Sequence, residues 1–167
     1  MLESRYLTDN VQNIQLLTTL SPLKKLKTKQ LGLLAKLSKI WEYEPDETII
    51  KEGEKDQWLY FLLSGAVRVE KQGIPVAVIN NKGALFGELS ILDGKKRSAS
   101  VTALAKTLCL AVNLSAIDRF PSEYGRKNFF LRLYRILAES TSLRLRSTTE
   151  ELIKAKQDIE KLSVTEG

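Results

Sequence analysis

The sequence has no histidine and one cysteine, Cys109, among its 167 residues. Histidine is the commonest general base near neutral pH and a frequent metal ligand, so its absence removes the usual histidine-based catalysts. A single cysteine cannot form an internal disulfide, and without histidine it argues against a zinc site. Cys109 lies in the run TLCLAV, where we expect it to be a small buried apolar residue. These absences favour a reducing compartment and argue against a metal-dependent enzyme.

Long apolar runs are also missing. No stretch approaches the roughly 20 apolar residues that a membrane-spanning helix needs, and the first ten residues lack the apolar core of a signal peptide. The hydrophobic content of 43% and the charged content of 28% are ordinary for a soluble domain. We therefore expect a cytoplasmic protein without a membrane partner. The net charge of +6 suits an anionic ligand, although it also serves solubility.

The densest motif is residues 86–101, FGELSILDGKKRSASV. Gly87 has no Cβ, so the backbone there can approach a ligand closely. Glu88 is a hydrogen-bond acceptor, and Leu89 begins a short helical turn whose free N–H groups suit an anion. Nine residues after Glu88, Arg97 provides a fork of five donors that fits a phosphate. The segment thus predicts an acceptor for a sugar hydroxyl beside a phosphate clamp. The alternative is a simple surface ion pair between Glu88 and Arg97.

This motif resembles the phosphate-binding cassette of the cyclic nucleotide-binding domain family, whose pattern is F-G-E-L-x-L followed by R-[ST/A]-A-x-V. In that family the glutamate binds the ribose 2′-hydroxyl and the arginine binds the cyclic phosphate, while nearby backbone amides complete the site. The resemblance assigns ligand-binding roles to the following residues of this chain: Gly87, Glu88, Leu89, Ser90, Arg97, Ser98 and Ala99. It implies no catalytic residue, because a phosphate clamp without a histidine or a cluster of metal ligands provides no placed base.

The chain around the cassette reads as helices, then strands, then helices. Residues 1–40 show helical spacing, with Thr8 and Thr28 as candidate caps of two short helices. Residues 41–121 contain short strands separated by turns, among them a turn from Gly53 to Asp56 and a hairpin tip at Gln72-Gly73. Residues 53–69 resemble the family's barrel pattern G-x₆-Y-F-x₃-G-x-V-x-V. We predict a mainly β fold with flanking helices. It is a jelly-roll β-barrel of the cyclic nucleotide-binding type with an N-terminal helical segment and a long C-terminal helix.

That C-terminal helix is predicted over residues 122–162, followed by a tail at 163–167. Apolar side chains repeat every seven residues at position a, which holds Leu131, Ala138, Leu145, Leu152 and Ile159. Position d, three residues later, holds Tyr134, Thr141, Thr148, Ala155 and Leu162. Such a seam predicts a parallel homodimer through the helix. The alternative is a single amphipathic helix that lies on its own barrel.

The resemblance extends into this helix. Proteins of the catabolite activator class read the adenine amino group with a Thr-Ser pair on their dimer helix. Residues 144–150, RLRSTTE, have the same spacing, which places Thr148 and Thr149 at the purine-reading positions. Thr148 also falls on the seam, where its hydroxyl needs a ligand or a partner chain to bond with. These threonines favour cyclic AMP, whereas the hydroxyl of Ser98 suits the 2-amino group of guanine and leaves cyclic GMP open.

The sequence therefore predicts a non-catalytic cytoplasmic receptor for a cyclic nucleotide, preferentially cyclic AMP, with no further cofactor or metal. It would signal through the C-terminal helix to an effector that the sequence does not identify. Too few residues follow Thr149 to form the winged helix-turn-helix of related transcription factors, so we expect no DNA-binding domain. A dimeric scaffold with a vestigial or differently specific pocket is the alternative. A phosphodiesterase-like enzyme would need metal ligands that the sequence does not offer.

Overall fold

In the computed structural model, which describes residues 1–165, nine strands form two antiparallel sheets between helical segments. The strands are β1 (Leu2–Glu3), β2 (Ser38–Tyr43), β3 (Thr48–Ile50), β4 (Trp58–Ser64), β5 (Val67–Lys71), β6 (Ile74–Ile79), β7 (Leu85–Phe86), β8 (Ser100–Ala103) and β9 (Thr107–Asn113). The α-helices are α1 (Val11–Thr18), α2 (Thr28–Lys36), α3 (Leu89–Asp93) and α4 (Glu123–Thr165), and 3₁₀ segments cover Ser21–Lys25 and Leu114–Arg119. The predicted mainly β fold with a long C-terminal helix is confirmed.

The two sheets have the strand orders β1-β2-β9-β4-β7 and β3-β8-β5-β6. Strands β5 and β6 form a hairpin in which Lys71 pairs with Ile74. The two residues between them, Gln72 and Gly73, both have positive φ, at 52° and 76°. Positive φ at both central residues is typical of the type I′ turn, whose twist matches that of the flanking strands. The hairpin tip thus lies where the sequence predicts it.

Strand β4 separates two apolar clusters. Leu59 and Phe61 belong to the cluster that packs against the helices, whereas Tyr60 and Leu62 belong to the cluster between the two sheets. This alternation follows from the two-residue period of a strand, and it makes β4 apolar on both faces. Cys109 is buried between the sheets, as predicted, and burial raises the pKa of its thiol to about 12.

Both short N-terminal helices begin differently from the prediction. The cap of α1 is Asn10, whose side-chain oxygen accepts the N–H of Asn13 at 2.8 Å. The hydroxyl of Thr8 instead accepts a hydrogen bond from the side-chain amide of Asn10 at 2.8 Å. Thr28 is the first residue of α2 rather than its cap. At the start of α2 the cap residue Lys27 has no side-chain oxygen to accept a backbone N–H, and Gln30 Oε1 instead accepts the N–H of Lys27 at 2.9 Å.

Three element boundaries also differ from the prediction. The N-terminal segment predicted as helical contains β1, and β2 already begins at Ser38 rather than at residue 41. Pairing with β9, from Ser38 opposite Val112, ends the helical segment early. At the other end, α4 continues to Thr165, so residues 163–165 are helical where a tail is predicted. Residues 166 and 167 lie outside the described part of the chain.

Helix α4 buries one face of its first turns and exposes the other. Phe129, Leu133, Ile136 and Leu137 are buried in the cluster on the helical side of the barrel. The position-a side chains point away from this contact and are exposed: Leu131, Ala138, Leu145, Leu152 and Ile159. The start of α4 thus lies on its own domain, but it does so with a face other than the predicted seam.

No helix among residues 1–165 is both long and apolar enough to cross a bilayer.

Gly65 lies in a turn of the barrel where both the dihedral angle and the packing favour glycine. Its φ is +91°, and a Cβ there would lie 2.5 Å from Thr107 Oγ1 and 2.6 Å from the carbonyl oxygen of Lys106. Gly73 has φ +76°, but a Cβ added there would meet no atom within 4 Å, so it isolates the effect of the dihedral angle. We expect Gly65→Ala to lower the free energy of unfolding by about 2–5 kcal/mol and Gly73→Ala by about 1–2 kcal/mol. Urea denaturation measures both, and equal losses would contradict the packing argument.

Candidate functional site

The cassette predicted from the sequence forms a continuous site around α3. Gly87 has φ +77°, and a Cβ there would lie 2.8 Å from Nη1 of Arg97 and 3.0 Å from Cδ1 of Ile50. Its carbonyl oxygen accepts a hydrogen bond from Arg97 Nη1 at 2.7 Å. Glycine is therefore needed at position 87 for both the dihedral angle and the approach of the guanidinium.

The guanidinium of Arg97 is buried, with 4% of the residue exposed, and protein atoms accept all five of its N–H groups. Nε donates to Asp56 Oδ2 at 3.0 Å, and Nη2 donates to Asp56 Oδ1 and to the carbonyl oxygen of Trp58. Besides the carbonyl of Gly87, Nη1 donates to Ser90 Oγ at 2.9 Å. Arg97 therefore forms a bidentate ion pair with Asp56 and binds three neutral acceptors.

Glu88, the predicted ribose acceptor, is also buried and already paired. Its residue is 2% exposed, and Oε1 accepts a hydrogen bond from Nη1 of Arg144 at 2.7 Å. The other terminal nitrogen of Arg144 donates to the carbonyl oxygen of Leu85. Because Arg144 lies on α4, this ion pair joins the exposed half of the long helix to the cassette.

The remaining predicted residues lie in different surroundings. Ser90 is buried, Ala99 is half-buried, and Leu89 and Ser98 are exposed. Thr148 and Thr149 are exposed on α4, one turn beyond Arg144, and the Thr149 hydroxyl donates to the carbonyl oxygen of Leu145. Arg97 thus hydrogen-bonds to Gly87 and to Ser90, and Glu88 lies between these two acceptors in the chain. In the single chain the two threonines are not buried against the cassette.

The sequence patterns do not identify two charged residues of the site. They place Asp56 only in a turn and Arg144 only in the spacing of a helical motif. A buried arginine requires a carboxylate or several other acceptors, and a buried glutamate requires a cation, so partners were to be expected. Their identity depends on which loop and which helix reach the cassette, and the sequence alone does not give this.

Aromatic residues of the barrel lie next to Gly87 and Arg97. The rings of Trp41 and Trp58 lie 4.5 Å apart, centroid to centroid, and Tyr60 stacks on Phe86 at 5.3 Å. Burial, with a smaller contribution from the Asp56 carboxylate, raises the pKa of Tyr60, so its phenol stays neutral. A cavity of about 420 Å³ is lined by two residues that accept hydrogen bonds from Arg97 through their side chains, Asp56 and Ser90, and by seven others: Lys55, Gln57, Trp58, Gly94, Lys95, Asn113 and Ser115.

Chemically, the site presents two buried charges of opposite sign, Glu88 and Arg97, nine residues apart in the sequence and each paired with a residue from outside the cassette. A ligand with an anionic group and a hydroxyl group could exchange with these partners. Among residues 1–165 no group of three or more histidine, cysteine, aspartate or glutamate side chains is arranged to hold a metal ion.

Comparison with known proteins gives a family match over the barrel. A family model described as the cyclic nucleotide-binding domain matches residues 40–124. A cGMP-dependent protein kinase of Eimeria tenella is 32% identical over 65% of this chain, and the match covers 11% of the kinase. A cAMP-dependent protein kinase regulatory subunit of Debaryomyces hansenii is 31% identical over 66% of this chain and 23% of that subunit. The chain thus spans less than a quarter of either relative.

Solved structures show the same fold. A putative cyclic nucleotide-binding protein from Geobacter metallireducens superposes with a TM-score of 0.70 at 20% sequence identity. The match covers 81% of this chain and 99% of that chain.

The ion pair between Glu88 and Arg144 joins α4 to the cassette, and we expect it to contribute to the order of the helix. We expect Arg144→Ala to lower the stability of the protein by about 1–2 kcal/mol, since it leaves a buried carboxylate unpaired while the partial exposure of Arg144 limits the effect. Amide exchange should become faster in α4 around residue 144. Arg146→Ala, at an exposed arginine two residues further on, is the matched control and should change stability by less than about 0.5 kcal/mol. Equal exchange in the two variants would show that the ion pair does not hold the helix.

Proposed function

The chain belongs to the cyclic nucleotide-binding domain family, and from this premise we propose that it is a non-catalytic receptor for a cyclic nucleotide. The observation that carries the proposal is the pair of buried opposite charges at the cassette, Arg97 and Glu88. A cyclic nucleotide offers one anionic phosphate and one ribose 2′-hydroxyl, the two groups that these charges suit. With no histidine in the chain and no metal-ligand cluster among residues 1–165, the site has no evident means of hydrolysing what it binds.

In this proposal Arg97 binds the exocyclic oxygens of the phosphate and Glu88 accepts from the 2′-hydroxyl. The backbone amides of the cassette complete the site: those of Leu89, Ser90, Ser98 and Ala99. Glu88 then shares its carboxylate between the ribose and Arg144, or exchanges one for the other. Either outcome changes the ion pair between Glu88 and Arg144, so binding at the cassette changes how α4 is held.

For the base we propose a preference for cyclic AMP. The names of the two curated relatives divide between cyclic GMP and cyclic AMP, so they support neither choice for this chain. The preference therefore rests on Thr148 and Thr149, whose hydroxyls can accept from the adenine N6 amino group. A hydroxyl can also donate, so the discrimination is modest, about 1–2 kcal/mol.

We further propose that the receptor is a cytoplasmic parallel homodimer joined through α4. Support comes from the position-a side chains, among which Leu131, Leu145, Leu152 and Ile159 are each more than half exposed. A strip of this kind along one helix is typical of a coiled-coil seam. In such a dimer Thr148 lies on the seam and can reach a ligand held by either chain. The effector that responds would be a separate protein or a further domain.

The second candidate is a dimeric scaffold with a vestigial or differently specific pocket. One observation favours it, namely that all five N–H groups of Arg97 and one carboxylate oxygen of Glu88 already have protein partners. A direct binding measurement separates the two candidates.

Isothermal titration calorimetry with cyclic AMP and cyclic GMP tests the proposed function. Wild type should bind both, and cyclic AMP more tightly. Arg97→Ala should weaken cyclic AMP by about ten- to hundredfold, the loss expected for a charge-assisted bidentate contact of about 1.5–3 kcal/mol. Arg97→Lys should restore little of it, because a point charge does not reproduce the fork. Circular dichroism checks that both variants fold. Wild type that binds neither nucleotide would favour the scaffold, and unchanged affinity in Arg97→Ala would refute the site.

Sedimentation velocity tests the dimer with two matched leucines of α4. Leu145, on the seam, is 66% exposed and Leu143, off the seam, is 69% exposed in the single chain. Leu145→Lys places a charge in the interface and should convert the dimer to a monomer, whereas Leu143→Lys should remain dimeric. A monomeric wild type, with and without nucleotide, would be inconsistent with the seam.

A further inference from the structure

We propose that Asp56 is an internal competitor of the ligand phosphate for Arg97 and thereby sets the affinity of the pocket. The inference rests on the proposed function, since it takes the phosphate to bind at Arg97. It concerns a residue of the loop between β3 and β4, outside the cassette.

The competition follows from the number of donors. Arg97 has five N–H groups, and in this structure all five are donated to protein acceptors. A phosphate that binds bidentately needs two of them. Asp56 is the acceptor on both Nε and Nη2, the edge of the guanidinium that binds a carboxylate or a phosphate in fork geometry. The ligand phosphate must therefore displace acceptors that are already in place, and Asp56 is the anionic one among them.

Asp56 is also the partner that can leave. Its side chain is 35% exposed, whereas that of Arg97 is 2% exposed. It lines the cavity of about 420 Å³, together with Lys55 and Lys95. The displaced carboxylate can therefore turn to water and to two ammonium groups. Gly87 and Trp58 contribute backbone carbonyls, which cannot withdraw without moving the cassette or β4.

The exchange replaces one anion by another, so Arg97 is never left buried without a negative partner. Leaving a buried charge unpaired is what makes the loss of one member of a buried ion pair so unfavourable. The same exchange lowers the apparent affinity, because the gain from the phosphate contact is reduced by the loss of the carboxylate contact. Removing the Asp56 charge should therefore tighten binding of cyclic AMP, although it removes an ion pair from the free protein.

The test compares cyclic AMP binding by wild type and Asp56→Asn in the full chain. Asn keeps a side-chain oxygen for the N–H of Trp58, which Asp56 Oδ1 accepts at 2.9 Å, but it removes the negative charge. We expect binding to become about five- to thirtyfold tighter, the effect of a partly exposed charged contact. Asp56→Ser, which also keeps an oxygen acceptor in the turn, should act in the same direction and serves if the first variant folds poorly.

Two controls separate competition at Arg97 from other effects. Glu54→Gln removes one negative charge from an exposed side chain two residues away and should leave the affinity unchanged. In the Arg97→Ala background, Asp56→Asn should no longer tighten binding, because the two substitutions act through the same contact. Tightening that persists in that background would overturn the inference.

The result also distinguishes this inference from the proposed function. If wild type binds cyclic AMP and Asp56→Asn binds it equally or more weakly, Asp56 is a structural partner of Arg97 and the receptor function stands. If neither protein binds a cyclic nucleotide, the receptor function itself is wrong and the inference fails with it.

Discussion

The buried guanidinium of Arg97 is the constraint on which the site depends. A cation that is 4% exposed must have its N–H groups accepted by protein atoms, and here the acceptors come from three separate segments of the chain. The positive φ of Gly87 leaves its carbonyl oxygen free to accept a hydrogen bond from Arg97, just before α3 begins at Leu89. The loop before β4 brings the Asp56 carboxylate to the same guanidinium. One side chain therefore fixes the cassette, β4 and the loop before it relative to one another.

The second connection runs from the cassette to the long helix. Burial of Phe129, Leu133 and Leu137 fixes the first turns of α4 on the domain, whereas no side chain is buried among residues 141–163, the later part of the helix whose burial the structure describes. There the contact of Arg144 with Glu88 is the link between an exposed helix and a buried carboxylate. The helix thus has a firmly packed beginning and an exposed continuation that the ion pair between Arg144 and Glu88 joins to the domain.

The sequence was informative where structure is determined locally. The short helix that begins at Leu89, the hairpin tip at Gln72 and Gly73, and a long helix without proline all follow from short patterns, and the described structure agrees with them. The caps of α1 and α2 and the start of β2 at Ser38 did not follow, because tertiary pairing and neighbouring side chains override a single preferred residue. Asp56 and Arg144 could not be assigned, since each meets its partner across more than 40 residues of chain.

Both tryptophans of the chain lie at this site. Their rings are 4.5 Å apart, and the carbonyl oxygen of Trp58 is one of the acceptors of Arg97. The tryptophan fluorescence of the protein therefore originates from this one pair of rings, and its wavelength depends on the polarity around them. The molecule carries its own optical reporter, so that a change of partner at Arg97 can be followed in real time without a chemical label.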